Sequence, residues 1–270
     1  MKTQVESAAV LVNNNLLPMW FVKGLRNLCE QSSVEISLVL IREDEGVGEN
    51  DQSDSNVGLV QSLRNLVIRK FAYDPKEYIN VESVDFMAQA PVVECPAIKD
   101  GKWRVRIPDG IVSNIEKKAD VVIHLGFGIL TGDILTQPEY GVVSYHHGDV
   151  RHYRGGPPGF WEFVHGKEQA GVIIQQLSEE LDAGTILAAD SVDISDANSW
   201  PEVKRQQYEI APELLPEAIS NLENENEIKY SKPFGPVYRT SDRTLVSDLI
   251  FLARSLGIPM GPIPRIFTKK

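Results

Sequence analysis

The chain's five histidines all lie between His124 and His165. Imidazole is the side chain best suited to moving protons near neutral pH. The same window holds Ser144-Tyr145-His146-His147-Gly148-Asp149 and Arg154-Gly155-Gly156-Pro157-Pro158, where glycine and proline impose irregular backbone that can display reacting groups. His146 ends an apolar run, and Asp182 follows downstream in Glu180-Leu181-Asp182-Ala183-Gly184-Thr185, where Gly184 permits a tight turn. A carboxylate hydrogen-bonded to an imidazole fixes its tautomer and stabilises its protonated form. That suits acid/base work on an attacking amine or a collapsing tetrahedral centre. The residues alone also fit a polar histidine closing a strand and a turn-forming aspartate, and both readings stay open.

Two other chemistries use overlapping residues. Ser144, His146 and Asp182 match the residue types of a serine hydrolase, but no Gly-x-Ser-x-Gly elbow surrounds Ser144 to display its hydroxyl. A metal site from His146, His147, Asp149 and His152 meets a geometric objection, because adjacent residues on a strand point to opposite faces.

The elements that must position these groups follow from hydrophobic pattern. Ala8-Ala9-Val10-Leu11-Val12 is a short apolar run suited to a strand buried on both faces, and Leu16 to Glu30, with Trp20, Phe21, Leu25 and Leu28, has helical spacing. Val34 to Ile41 supplies a second strand, and the unit predicts a right-handed parallel crossover. An acidic loop follows over residues 43–56, then helical spacing from Leu59 to Phe71. Ala90 to Asp109 carries three prolines and reads as an irregular or edge segment. Ile111 to Lys118 predicts a helix, Ala119 to Gly126 a buried strand, Gly132 to Leu135 a helical turn and Gly141 to His146 a strand. Phe160 to His165 is again helical, Gly171 to Leu177 and Thr185 to Ile194 are strands, and Val203 to Leu222 is helical. Alternation of this kind predicts an α/β fold with a mainly parallel sheet. A boundary is expected near residue 198, separating residues 1–198 from an extension over 199–270.

Composition narrows the partners. With 42% hydrophobic residues in 270 the chain can bury a substantial core, and no run approaches the roughly 18 apolar residues of a spanning helix. A cytoplasmic protein without a membrane partner is expected. Two cysteines, Cys29 and Cys95, are too few for a disulfide framework. A net charge of −11 repels phosphate backbones, which disfavours a broad nucleic-acid footprint.

Gly141-Val142-Val143-Ser144-Tyr145-His146, Tyr153-Arg154-Gly155-Gly156-Pro157-Pro158, Ala170-Gly171-Val172-Ile173-Ile174 and Leu181-Asp182-Ala183-Gly184-Thr185-Ile186-Leu187 together resemble the formyltransferase family. That family includes methionyl-tRNA, glycinamide ribonucleotide and sugar-nucleotide N-formyltransferases. Ala119-Asp120-Val121-Val122-Ile123-His124-Leu125-Gly126-Phe127-Gly128-Ile129-Leu130 resembles its folate-binding strand and loop. The resemblance is good over residues 119–194 and weaker over the first two strands. It implies a Rossmann-like, mainly parallel sheet flanked by helices, with residues 1–198 as the catalytic domain and a small C-terminal extension. The implied formyl donor is 10-formyltetrahydrofolate. Phe127, Gly128, Ile129, Leu130, Arg154 and Gly155 are its expected contacts.

By the same resemblance His146 and Asp182 take the family's catalytic His and Asp positions, and Ser144 stands where its motif carries Asn. The Asn amide donates to the developing oxyanion, and losing one such donor costs about 10²- to 10³-fold in rate. Ser144 donates itself or through water, His147 or a backbone N–H takes over, or the activity is lost or changed; retained transfer is the expectation. The family's loops and C-terminal additions set the acceptor, and the last residues here do not resemble the β-barrel of methionyl-tRNA formyltransferase. A small amine is expected, such as an amino sugar or sugar nucleotide, with Trp103 or Tyr238 as candidates for ring stacking. The alternatives are methionyl-tRNA as acceptor, hydrolysis of the formyl donor, and a non-catalytic folate-binding homologue. A homodimer is the assembly state to test.

Overall fold

Buried apolar runs make the centre of the molecule, a seven-stranded sheet. The computed structural model describes residues 4–43, 77–101, 104–180, 183–224 and 235–263. The acidic loop beyond Glu43, the helix expected from Leu59 to Phe71, Trp103, Asp182 and the end of the chain past residue 263 lie outside the described residues.

The sheet contains β1 (Ser7–Val12), β2 (Glu35–Glu43), β3 (Val92–Pro96), β4 (Val121–Leu125), β5 (Val142–His146), β6 (Gln169–Gln176) and β7 (Thr185–Asp193). Their spatial order is β7-β6-β5-β4-β1-β2-β3. The five strands from β3 to β5 run parallel. Only β6 runs the other way, antiparallel to β5, and β7, antiparallel to β6, returns to the direction of the first five. The sheet is thus mainly parallel, as the alternation predicts. Strand order reverses between β1 and β4, and a crevice outside the carboxyl ends of the strands there is where open α/β sheets bind ligands.

Helix α1 (Met19–Gln31) starts three residues later than its spacing predicts. Leu16–Pro18 is instead a short strand paired with Tyr78–Asn80, and Pro18 caps the helix. Trp20, Phe21, Leu25 and Leu28 of α1 are buried against one sheet face, each contributing about 1.5–3 kcal/mol of burial. Helix α2 (Asp109–Lys118) covers the opposite face with Val112 and Ile115. Helix α3 (Phe160–His165) precedes β6. Helix α4 (Trp200–Glu223) packs Tyr208, Ala211, Leu214, Leu215 and Leu222 into the core shared with α1 and β1. Helix α5 (Leu245–Ser255) adds Ile250 and Phe251 to a third cluster with Phe160, Trp161 and Trp200.

The proline-rich segment resolves into two pieces. Val92–Pro96 is edge strand β3, and Arg104–Arg106 pairs with both Ile98–Lys99 and Ile129–Thr131 in a small separate sheet. This small sheet gives the Ile129–Leu130 backbone, which follows β4, a fixed partner.

Candidate active site

Three neighbouring strands place polar side chains at one level. On β5, Ser144 lies opposite His124 of β4 and opposite Gln175 of β6. All three are buried. Ser144 Oγ stands 3.1 Å from His124 Nδ1, and it is 3.2 Å from the His124 carbonyl oxygen. Burial lowers the His124 imidazole to a pKa of about 4, partly opposed by the Gly128 carbonyl, so the ring is neutral at pH 7. His124 Nε2 is buried and has no hydrogen-bond partner among the described residues.

These groups line a cavity of about 100 Å³ walled by Gly128, Ile129 and Leu130 on one side and by Leu177, Glu180 and Gly184 on the other. A second hollow of about 280 Å³ shares Leu177 and Gly184 with it. The Leu177–Gly184 loop closes tightly at its root, where a Cβ on Gly184 would fall 1.8 Å from the Gln176 carbonyl oxygen. Only glycine fits there.

His146 lies two residues beyond Ser144 on the same face of β5, at the strand end, and is half-buried. Its Nε2 is 3.3 Å from the Tyr153 carbonyl oxygen. Asp182 is outside the described residues, but Glu180 and Gly184 on either side of it both line the cavity. Arg154 is largely buried and donates from Nη2 to Glu180 Oε1 at 3.0 Å, tying its loop to the one that carries Asp182. Gly155 lies beside it in a two-residue ladder with Tyr238.

Among the expected donor contacts, Gly128, Ile129 and Leu130 reach the cavity. Phe127 turns a fully buried ring into the core under α2, and its carbonyl accepts from Arg42 Nη1 at 2.8 Å. Tyr238, one of two rings expected to stack on an acceptor, is instead buried against Trp161 and Tyr153. Asp149 and Arg151 pair with each other at 2.7 Å.

The sequence reading assigned no role to His124 or Gln175. A signal for His124 was present, since it is the one polar residue within Val121-Val122-Ile123-His124-Leu125. On the opposite face, a groove of about 650 Å³ is lined by Trp20, Arg26, Ile79, Arg205 and Tyr208. Trp20 and Tyr208 stack with ring centroids 5.4 Å apart, and His147 meets both edge-on. Both rings are buried in the core, with edges that line the groove.

A doubly wound sheet whose catalytic-type residues sit at the carboxyl end of a central strand defines a class of ligand-binding α/β proteins, and sequence comparison places the chain within it. The profile of the formyl transferase family matches residues 75–219, more than half of the chain, and the chain belongs to that family. A curated methionyl-tRNA formyltransferase from Natranaerobius thermophilus is 30% identical over 169 residues, covering 59% of this chain and 53% of the relative. The chain thus spans about half the length of that relative. Among solved structures, glycinamide ribonucleotide transformylase 1 from Symbiobacterium toebii superposes with TM-score 0.55 at 14% identity, over 87% of this chain and 96% of that one. A sugar N-formyltransferase from Shewanella sp FDAARGOS_354 superposes with TM-score 0.54 at 18% identity, over 93% of this chain and 87% of that one. Both share the fold.

Proposed function

We propose that this protein transfers a formyl group from 10-formyltetrahydrofolate to the amine of a small acceptor, an amino sugar or sugar nucleotide. The observation that carries the reading is Ser144 in the wall of a cavity between the Gly128–Leu130 segment and the loop that contains Asp182, with His146 two residues further along the same strand. The lining of the cavity has the character a flat, polar-edged ring needs. Ile129, Leu130 and Leu177 give apolar walls, and buried His124 and Gln175 give polar edges. When bound, the donor supplies an activated formyl carbon whose bond to nitrogen breaks as the bond to the acceptor amine forms.

The chain's own residues have separate tasks. His146 takes the proton released by the attacking amine and returns it to the leaving nitrogen, so the proton count is unchanged over the reaction. Asp182 orients the imidazole and stabilises its charged form. Ser144 donates to the formyl oxygen as negative charge develops there. Arg154, through Glu180, holds the loop that brings Asp182 to the site.

The acceptor argument rests on charge and shape. A net charge of −11 is poorly suited to gripping tRNA. The Trp20–Tyr208 groove beside His147 offers a stacked aromatic wall suited to a sugar or a base. The test is tetrahydrofolate release from 10-formyltetrahydrofolate with a panel containing nucleotide-linked amino sugars, glycinamide ribonucleotide, methionyl-tRNA and no acceptor. Turnover dependent on an amino sugar is expected. Turnover with methionyl-tRNA alone, equal turnover without acceptor, or none at all would overturn the reading, the second in favour of a formyl-donor hydrolase.

A further inference from the structure

Ser144 has one proton to give, and its surroundings decide where that proton goes. The Ser144 hydroxyl oxygen has three polar neighbours: His124 Nδ1 at 3.1 Å, the His124 carbonyl at 3.2 Å and the Tyr145 carbonyl at 3.4 Å. The two carbonyls can only accept. Of the three, Nδ1 alone is able to donate to the serine oxygen. With the ring neutral and Nε2 without a hydrogen-bond partner among the described residues, the tautomer with its proton on Nδ1 makes two bonds: Nδ1–H donates to Oγ, and Oγ–H donates to a carbonyl. The other tautomer draws the serine proton onto Nδ1 and away from the cavity.

We propose that His124 is a positioning residue for Ser144, donating Nδ1–H to Ser144 Oγ so that the serine's single proton stays available to a carbonyl oxygen entering the cavity. Rotation about Cβ–Oγ then swings the proton from the His124 carbonyl to the incoming oxygen while the Nδ1–H bond persists. A bond received at Oγ also polarises the hydroxyl and makes it a better donor. In this arrangement a short hydroxyl and a neighbouring ring do together what an amide arm does alone. Burial supports the assignment, because a ring held neutral near pH 7 carries one N–H and no charge to repel an approaching ammonium.

The inference deepens the formyl-transfer reading and rests on it, so its experiment has one arm that needs no turnover. Nitrogen-15 NMR of the resting protein reads the tautomer directly, and Nδ1–H at His124 is expected; Nε2–H as the resting form would overturn the proposal. The second arm compares two variants in formyl transfer from 10-formyltetrahydrofolate to the acceptor the panel identifies. His124→Asn keeps an N–H near the Nδ1 position and should retain kcat within about threefold. His124→Gln places its amide near Nε2 and should lower kcat by about 10- to 100-fold with the donor KM unchanged, a loss at or below the range for an oxyanion donor. Ser144→Ala should lose as much, and Ser144→Ala combined with His124→Gln no more than Ser144→Ala alone. Equal rates in the Asn and Gln variants, or additive losses in the double variant, would overturn the pairing. Thermal melting of each variant separates misfolding from mispositioning. A wild-type protein inactive across the whole panel would overturn the functional reading, while the tautomer would still decide the pairing.

Discussion

His146 and His147 are adjacent in the chain and serve opposite faces of the sheet. His146 Nε2 lies 3.3 Å from the Tyr153 carbonyl, whereas the His147 ring packs 4.8 Å from Trp20 and 5.0 Å from Tyr208. The chain thus turns successive imidazoles to opposite sides where β5 ends.

In the proposed reaction His146 carries the proton. His146→Ala is expected to lower turnover by at least about 10²-fold, the lower bound for a general acid–base residue, with the melting temperature nearly unchanged. Asp182→Ala should do the same. Stopped-time assays of tetrahydrofolate release, paired with thermal melts, check both, and wild-type rates in either variant would remove that residue from the mechanism.

Gly148 borders the same imidazole. A Cβ there would sit 3.0 Å from His146 Nε2 and 3.3 Å from the Tyr153 carbonyl, so Gly148→Ala must push the ring aside. Shifts of this size in a reacting group cost about 10²-fold when orientation matters. The expected result is a large fall in kcat with a small change in melting temperature, and an unaffected kcat would show that His146 needs no fixed orientation.

His124 makes stability pH-dependent in a defined window. Its folded pKa of about 4 is below the unfolded value of 6.5, so the unfolded chain binds the extra proton and stability falls as pH drops from about 6.5 toward 4. The contribution is roughly 3 kcal/mol at pH 4 and vanishes above pH 7. Urea titrations should show this slope in the wild type and a shallower one in His124→Gln; parallel slopes would mean that the ring titrates normally.

Arg154 acts through Glu180, whose carboxylate is mostly exposed. Arg154→Ala should therefore destabilise the fold little through the lost ion pair, by about 1 kcal/mol or less. The expected signature is a donor KM raised several-fold by a looser Leu177–Gly184 loop. An unchanged KM would reduce the pair to a surface contact.

Asp248 tests how far the C-terminal region is tied to the rest. Arg243 and Asp248 pair at 3.0 Å with both side chains buried, and Arg243 also lies over the Phe160 ring. Removing one partner of a buried pair costs about 3–5 kcal/mol. Asp248→Ala should lower the denaturation midpoint accordingly, and a loss under about 1 kcal/mol would mean that water or other groups replace the carboxylate.

Much of the sheet was legible because strands buried on both faces need apolar runs, and β1 is continuous while β4 is broken only by His124. The reversed direction of β6 was not, since an apolar run carries no sign of its orientation. The segment from Ala90 to Asp109 hid its three short strands behind three prolines. At the site, motif order pointed to Ser144, His146 and the Gly128–Leu130 wall. His124 was missed because its importance comes from register: only the pairing of β4 with β5 brings it level with Ser144. Tyr238 shows the converse, an aromatic whose type suggested stacking and whose neighbours fix it in the core.

The missing methyl group at position 184 bears on how this protein could be re-engineered. A library randomised across the 177–185 segment will return glycine at 184 under any selection that demands a folded chain, because the Gln176 carbonyl already fills the space a side chain would need. Diversity in that turn must therefore come from its other positions, with 184 held fixed.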